Sequence, residues 1–244
     1  MLQQNAGGYS FLPGAPGGPF SGGVAALPGY EIVHATLHAT LPWRQAFELI
    51  ARHLEGQGRP RAALCAVELR CPAAYTPEGF AAFNVQYRAL LEQWGLLVDG
   101  YSPAARSNVA PAIAPPAEQS LYAFSYTAPA AGTTRPSFVG SGSAERPTVR
   151  PGETSVDALR EKTADVMAAM QRRLDQLTAT WADVTAVNVY TTNALQAVLE
   201  PDILGPMGPA AANGIHWFYS RPPVQGLEIE IDLRGAWQEV RLPG

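Results

Sequence analysis

The chain has 244 residues, 47% of them apolar and 16% charged, with a formal net charge of −4. That is enough for one large domain or two of ordinary size, with a real core and a sparsely charged surface suited to cover by partner subunits. An acidic balance without a basic stripe interleaved with aromatics argues against nucleic acid as a partner.

The opening segment, MLQQNAGGYSFLPGAPGGPFSGG, lacks the basic start and apolar run of a signal peptide. Its Gly and Pro content predicts an irregular arm over residues 1–29. From Tyr30, YEIVHATLHATL alternates Val33, Ala35 and Leu37 against His34, Thr36 and His38, the pattern of a strand. Thr40 and Pro42 then open a helix carrying Trp43, Phe47, Ile50 and Leu54 at helical spacing. ALCAVELR reads as a buried strand. Its Cys65 and Cys71 would lie about 20 Å apart along it, too far for a disulfide, which suits a cytoplasmic protein. Thr76 and Pro77 open a second helix with Phe80, Phe83, Tyr87, Leu90 and Trp94 on one face. A loop holding ARSNVAP leads to the strand SLYAFSYTA.

The order then repeats. PSFVGSGSAE is a short strand running into a Gly-Ser turn, and Thr154 with Asp157 caps a long helix striped with Val166, Met170, Leu174 and Leu177. DVTAVNVYTT is a strand, residues 194–204 form a Pro-broken helical stretch, and IHWFYSRPPV precedes LEIEIDL. Each half reads strand, helix, strand, helix, strand. This predicts an α+β fold of two related modules, residues 30–131 and 132–244. No stretch is long and apolar enough to span a membrane.

LEIEIDL places Glu228, Glu230 and Asp232 on one face, about 6.8 Å apart, opposite Leu227, Ile229, Ile231 and Leu233. The strand alone leaves two readings open, a solvated outer row or an acid/base held in a cleft. Other motifs fall short. His34 and His38 would be about 13.6 Å apart on a strand, too far to share a metal ion. GSG at 140–142 lacks the Lys and Ser/Thr of a phosphate loop. Ser107, Ser141 and Ser220 have no evident His/Asp partner.

Taken in order, VGSGSAE, TWADVTAVNVYTT, LEIEIDL and, in the first half, PAARSNVAP resemble the reactive intermediate deaminase superfamily (RidA, YjgF-like) over roughly residues 30–235. A two-module chain of this kind resembles its longer ring-cleavage deaminases, which act on 2-aminomuconate and its 5-chloro analogue. The resemblance implies two tandem chorismate-mutase-like modules, each a mixed sheet with two helices on one face. It also implies a cofactor-independent hydrolytic deaminase of an enamine or imine carboxylate, without a metal, in a cytoplasmic homo-oligomer, most simply a trimer. Carried onto this sequence, Glu228 is the catalytic carboxylate, and Arg106, Ser107, Ser141 and Gly142 line the substrate site. Arg221 is a second arginine for the other end of a diacid, although it lies only seven residues before Glu228, about half the usual gap. The first half, with Arg106 and Ser107, has no carboxylate on its closing strand LYAFSY. A site composed between modules is therefore expected. A general 2-aminoacrylate-type deaminase, a non-enzymatic ligand-binding member and a ring-amide hydrolase stay open as alternatives.

Overall fold

The computed structural model describes residues 1–130, 132 and 135–243. In chain order its strands and helices begin with β1 (Leu2–Gln4), β2 (Tyr9–Leu12), β3 (Gly23–Ala26), β4 (Tyr30–Pro42), α1 (Trp43–Gly56), β5 (Leu64–Arg70) and α2 (Pro77–Gln93). They continue with β6 (Ala105–Pro111), β7 (Ser120–Pro129), β8 (Phe138–Ala144), α3 (Val156–Gln176) and β9 (Ala186–Tyr190). Short helical turns over Leu199–Asn213 lead to β10 (His216–Phe218), β11 (Ser220–Arg221), β12 (Glu230–Gly235) and β13 (Gln238–Leu242).

The α+β class stands, and both sheets are mixed. One has the order β11-β6-β5-β7-β4-β13, the other β1-β2-β3-β8-β12-β9-β10. The sheets do not follow the two consecutive halves of the chain. β11 and β13, late in sequence, join the sheet of β4–β7, antiparallel to β6 and parallel to β4. Conversely, β1–β3 join the sheet of β8–β12 through β3 and β8. The boundary expected at residues 131–132 meets residue 131, which lies outside the described residues.

The arm expected over residues 1–29 is therefore not irregular throughout, but a three-stranded meander for part of its length. Tyr9, Phe11 and Val24 are fully buried against Ile32, Cys65 and Ala105, and the Tyr9 hydroxyl donates to the Leu64 carbonyl at 2.9 Å. The glycines and prolines serve the turns between these strands, which hides short strands from a composition-based reading. Gly8, at φ 74°, occupies the turn into β2.

Each sheet packs its apolar face on helices. Phe47, Ile50 and Leu54 of α1 and Phe83 and Tyr87 of α2 meet Val67, Leu69 and Phe124. Val166, Met170 and Leu174 of α3 meet Val187, Ile231 and Leu233. Thr76 caps α2 as expected, its hydroxyl accepting from Gly79 N at 3.1 Å with Pro77 in the first turn. Two other caps differ. Ser155, not Thr154, accepts from Ala158 N, and β4 runs through Thr40 to Pro42 so that α1 begins without a side-chain cap. Cys65 and Cys71 are free and buried. No helix among the described residues is long and apolar enough to cross a membrane.

The other faces of the two sheets meet, through the apolar cluster of Tyr9, Phe11 and Val24 with Ile32, Cys65 and Ala105 at one part and through polar groups beyond it. Asp232 Oδ2 of β12 accepts from the Ser107 hydroxyl of β6 at 2.5 Å, and Arg234 Nη1 lies 4.0 Å from Glu68 of β5. A buried polar interface is tolerated only where its members find partners. Asp232 also accepts from Tyr190 and Asn188, at 2.8 and 2.9 Å.

Candidate active site

The row of carboxylates neither faces water nor forms one continuous strand. β12 begins at Glu230, because the amides of Glu228 and Ile229 donate to Glu145 at 2.7 and 3.1 Å. Glu145 is itself buried and held 3.4 Å from the buried Lys162 ammonium. This anchor turns Glu228 aside, where its carboxylate accepts from Asn193 at 2.9 Å. The next acid, Glu230, enters the strand and is 4% exposed.

Glu230 lines a cavity of about 290 Å³ between the sheets, together with Arg106, Asn108, Gly142 and Arg173. Burial pushes its carboxyl up to about 8, and the charge of Asp232 adds to this, against the pull of Arg173 and Arg106. Gly142 lets the acid sit there: a Cβ at this position would overlap Glu230 Oε1 and lie 3.2 Å from Ser107 Oγ.

Arg106 projects from β6 among aromatic rings, its guanidinium carbon 4.5 Å from the Phe20 ring centre and 4.9 Å from that of Tyr87. One nitrogen, Nη2, donates to Asn84 at 2.8 Å, while Nη1 is buried with no partner. Burial lowers Arg106 to about 10, so it remains a cation at neutral pH. Arg173 reaches in from α3 and donates to the carbonyls of Ser141 and Gly142. It too is lowered to about 10 by burial, with Glu230 the leading opposing charge. Two fixed cations and one carboxyl that is neutral near pH 7 thus line one cleft. The arrangement can grip carboxylates and pass a proton to or from what lies between them.

Further along the same interface, Arg70 is stacked 4.2 Å from the Tyr122 ring centre and 5.3 Å from that of Phe218, and is paired with Glu68 at 3.4 Å. Its neighbours Glu68, Tyr122 and Phe218 line a larger cavity of about 480 Å³, with His34, Asn188, His216 and Arg241. His34 is lowered to about 4 by burial and then by Arg234, and His34 Nδ1 lies 3.1 Å from Ser125 Oγ. His38, by contrast, is exposed, so the two histidines do not converge.

A family model described as "2-aminomuconate deaminase CnbZ" matches residues 1–240. The chain belongs to the 2-aminomuconate deaminase family. Within that family's reach, it is 39% identical to 2-amino-5-chloromuconate deaminase of Comamonas testosteroni over 97% of this chain and 96% of that one. Among solved structures, a chorismatase covers 88% of this chain and 77% of its own at 13% identity and TM-score 0.47. A YjgF/YER057c/UK114-family protein from Mycobacterium tuberculosis covers 43% of this chain and 81% of its own at 19% identity and TM-score 0.27.

In this member of the 2-aminomuconate deaminase family, the structure brings together only part of the set expected from sequence. Arg106 and Gly142 line the cavity with Glu230. Ser107 and Ser141 sit beside it, but their hydroxyls are already engaged. Ser107 donates to Asp232, while Ser141 donates to the Ser21 carbonyl at 2.6 Å and accepts from Arg106 N at 3.0 Å. Both act as stitches that fix the walls. Glu228 and Arg221 do not line the cavity. Arg221 is exposed on β11, which pairs with Pro111 and Ala110 at the far end of β6.

Three residues that line the cavity were not among those expected from sequence. Glu230 shares the parity of Glu228, so alternation could not choose between them; only the Glu145 anchor sets where the strand starts. Arg173 stood three residues after Met170 and four before Leu177, on the margin of the apolar stripe of α3, and that position was a signal. Asn108 follows Arg106 by two residues and so shares its face of β6.

Proposed function

We propose that this chain is a hydrolytic deaminase of a 2-aminomuconate-type diacid, working in the cavity between the sheets with Glu230 as its acid and base. One observation carries the reading: Glu230 is buried, raised to about 8, and lines one cavity with Arg106 and Arg173. A diacid brings two negative charges and a flat apolar middle. Arg106 and Arg173 supply fixed charge for its two ends, and Phe20 and Phe80 supply apolar wall. Arg173 thereby takes the place that Arg221 was expected to fill.

The steps need only proton transfers and water. Protonated Glu230 gives its proton to a carbon of the enamine, and the electron pair of the C–N side shifts to make an iminium. The Glu230 carboxylate then takes a proton from water as the oxygen adds to the iminium carbon. The resulting amino alcohol loses ammonia, with the proton on Glu230 returned to the departing nitrogen and the hydroxyl proton released. The product is the 2-oxo diacid, and Glu230 is reprotonated for the next cycle. A raised pKa suits both duties, since a group that titrates near the working pH can give and take protons.

The homologous relative named for 2-amino-5-chloromuconate supports the diacid over 2-aminoacrylate. To test this, 2-aminomuconate is generated in situ and its near-ultraviolet loss followed together with ammonia release. Acceleration by the wild type, at least a hundredfold weaker in Glu230→Gln, is the expected result. Ammonia release at the uncatalysed rate sinks the proposal and favours a binding protein. A homotrimer belongs to the same proposal; sedimentation showing a stable monomer removes it.

A further inference from the structure

Asn108 is 3% exposed, lines the cavity, and its Nδ2 group has no hydrogen-bond partner. Leaving a buried amide donor unpaired costs about 1–3 kcal/mol, so such a group inside a cavity is a position held for something else. Its orientation is imposed from behind. The Tyr75 hydroxyl donates to Gln119 Oε1 at 2.7 Å, and Gln119 Nε2 donates to Asn108 Oδ1 at 3.0 Å. With its oxygen occupied, the Asn108 amide can present only N–H to the cavity.

Arg106 precedes Asn108 by two residues on β6, and its Nη1 is likewise buried without a partner. Two residues apart on a strand, they share a face and stand about 6.8 Å apart at the backbone. Both residues line the same cavity, and each holds one N–H donor without a partner. An acceptor with two oxygens in one plane satisfies the pair, and a carboxylate has that form.

We infer that Asn108 binds substrate, donating from Nδ2 to the same carboxylate that Arg106 Nη1 holds, and that the Tyr75–Gln119 relay locks the amide in the donating orientation. This rests on the proposed deaminase site and adds to it a determinant of the shared carboxylate. Arg173, on the opposite wall, then serves the second carboxylate alone. Gln119 does not line the cavity and is a positioning residue.

The test uses the full chain and two readouts: steady-state kinetics on 2-aminomuconate and 2-aminoacrylate, and calorimetric binding of unreactive cis,cis-muconate. Asn108→Asp replaces the donor with an acceptor of the same shape. It is expected to raise KM for both substrates at least tenfold, weaken muconate equally and change kcat by less than threefold. Asn108→Ala, which only removes the donor, moves the same quantities in the same direction and covers the case in which the aspartate does not fold. Gln119→Glu offers acceptors to both neighbours, which draws Nδ2 away from the cavity. It therefore raises KM as Asn108→Ala does, a split between KM and kcat that a loss of packing does not produce. Unchanged muconate affinity in a folded Asn108→Asp overturns the inference, whatever the wild-type activity. Weakened muconate binding in the Asn108 variants, beside a wild type that binds muconate but is inactive on 2-aminomuconate, instead preserves the inference and overturns the deaminase reading.

Discussion

β7 and β12 occupy matching places, each antiparallel to a neighbour on the helix-backed sheet it completes, yet they face the interface with different chemistry. β7 meets Arg70 at Ser120, Glu68 at Ala123 and Ala66 at Ser125. β12 meets Tyr190 at Glu230, Asn188 at Asp232 and Ala186 at Arg234. The first strand is uncharged there, with Tyr122 its one large side chain, where the second carries two acids and a base. In the first sheet the interface charges sit one strand over, on Glu68 and Arg70 of β5, while Arg106 of β6, paired with Val67, turns to the α2 side and reaches the cavity from there. At the cavity β12 brings the acid Glu230, β6 brings Arg106 and α3 brings Arg173. Neither sheet contains the site by itself, and its chemistry exists only where they meet.

The contrast predicts a wide spread in the effect of single changes. Glu230→Gln should lose about 10²–10⁴-fold in kcat, the usual range for a positioned acid/base, read by ammonia release. Glu228→Gln, two residues earlier and hydrogen-bonded to Asn193, should stay within about threefold. Equal losses in the two variants would erase the distinction drawn here. Next in size, Gly142→Ala forces Glu230 aside, and misplacing a reacting group by about 1 Å can cost about a hundredfold. Its fold should survive, as thermal unfolding will check.

Arg173→Gln should raise KM for 2-aminomuconate about 10–100-fold, the worth of a charged hydrogen bond, and leave 2-aminoacrylate nearly unaffected. Arg221→Gln, on an exposed residue, should change neither by more than about twofold. The pH dependence sharpens the assignment to Glu230. With its folded pKa near 8, kcat/KM should fall above about pH 8 as the acid form is lost. For stability the sign is equally defined. Glu230 ionises near 8 when folded against an ordinary 4.5, so the folded chain holds the extra proton between these values. Its contribution to stability is full below about 4.5, declines as pH rises, and is lost by about 8. The melting temperature of Glu230→Gln should lack that decline. Smallest of all, Ser125→Ala on β7 removes one hydrogen bond to His34, costs about 1 kcal/mol in denaturant titration and leaves turnover unchanged.

Most of the fold was readable because helices and buried strands print their periods on the sequence. Phe47, Ile50 and Leu54, or Ile231 and Leu233, had nowhere to go but a core. Arg106 and Gly142 were legible through the resemblance of their motifs. Three things were not. The partners of β11 and β13 depend on distant strands, and two to five residues of sequence carry no record of which edge they join. That Glu230 and not Glu228 lines the cavity depends on Glu145, more than eighty residues away. The burial of the charged face was hidden because alternation separates two faces without saying what covers the second.

The exchange of β3 and β13 between sheets also bears on how the chain is made. Until Gln238–Leu242 is synthesised, β4 has β7 on one side and an open row of amides and carbonyls on the other. A ribosome adding about 5–20 residues each second leaves that edge uncovered for many seconds. β3 must likewise wait for β8, more than a hundred residues later, before it gains its second neighbour. Such long-range pairings slow folding, and an uncovered strand edge is a template for aggregation. The crossing of β13 to the sheet of β4 makes that strand a clasp between the two halves, and a nascent chain lacking it a natural client for chaperones.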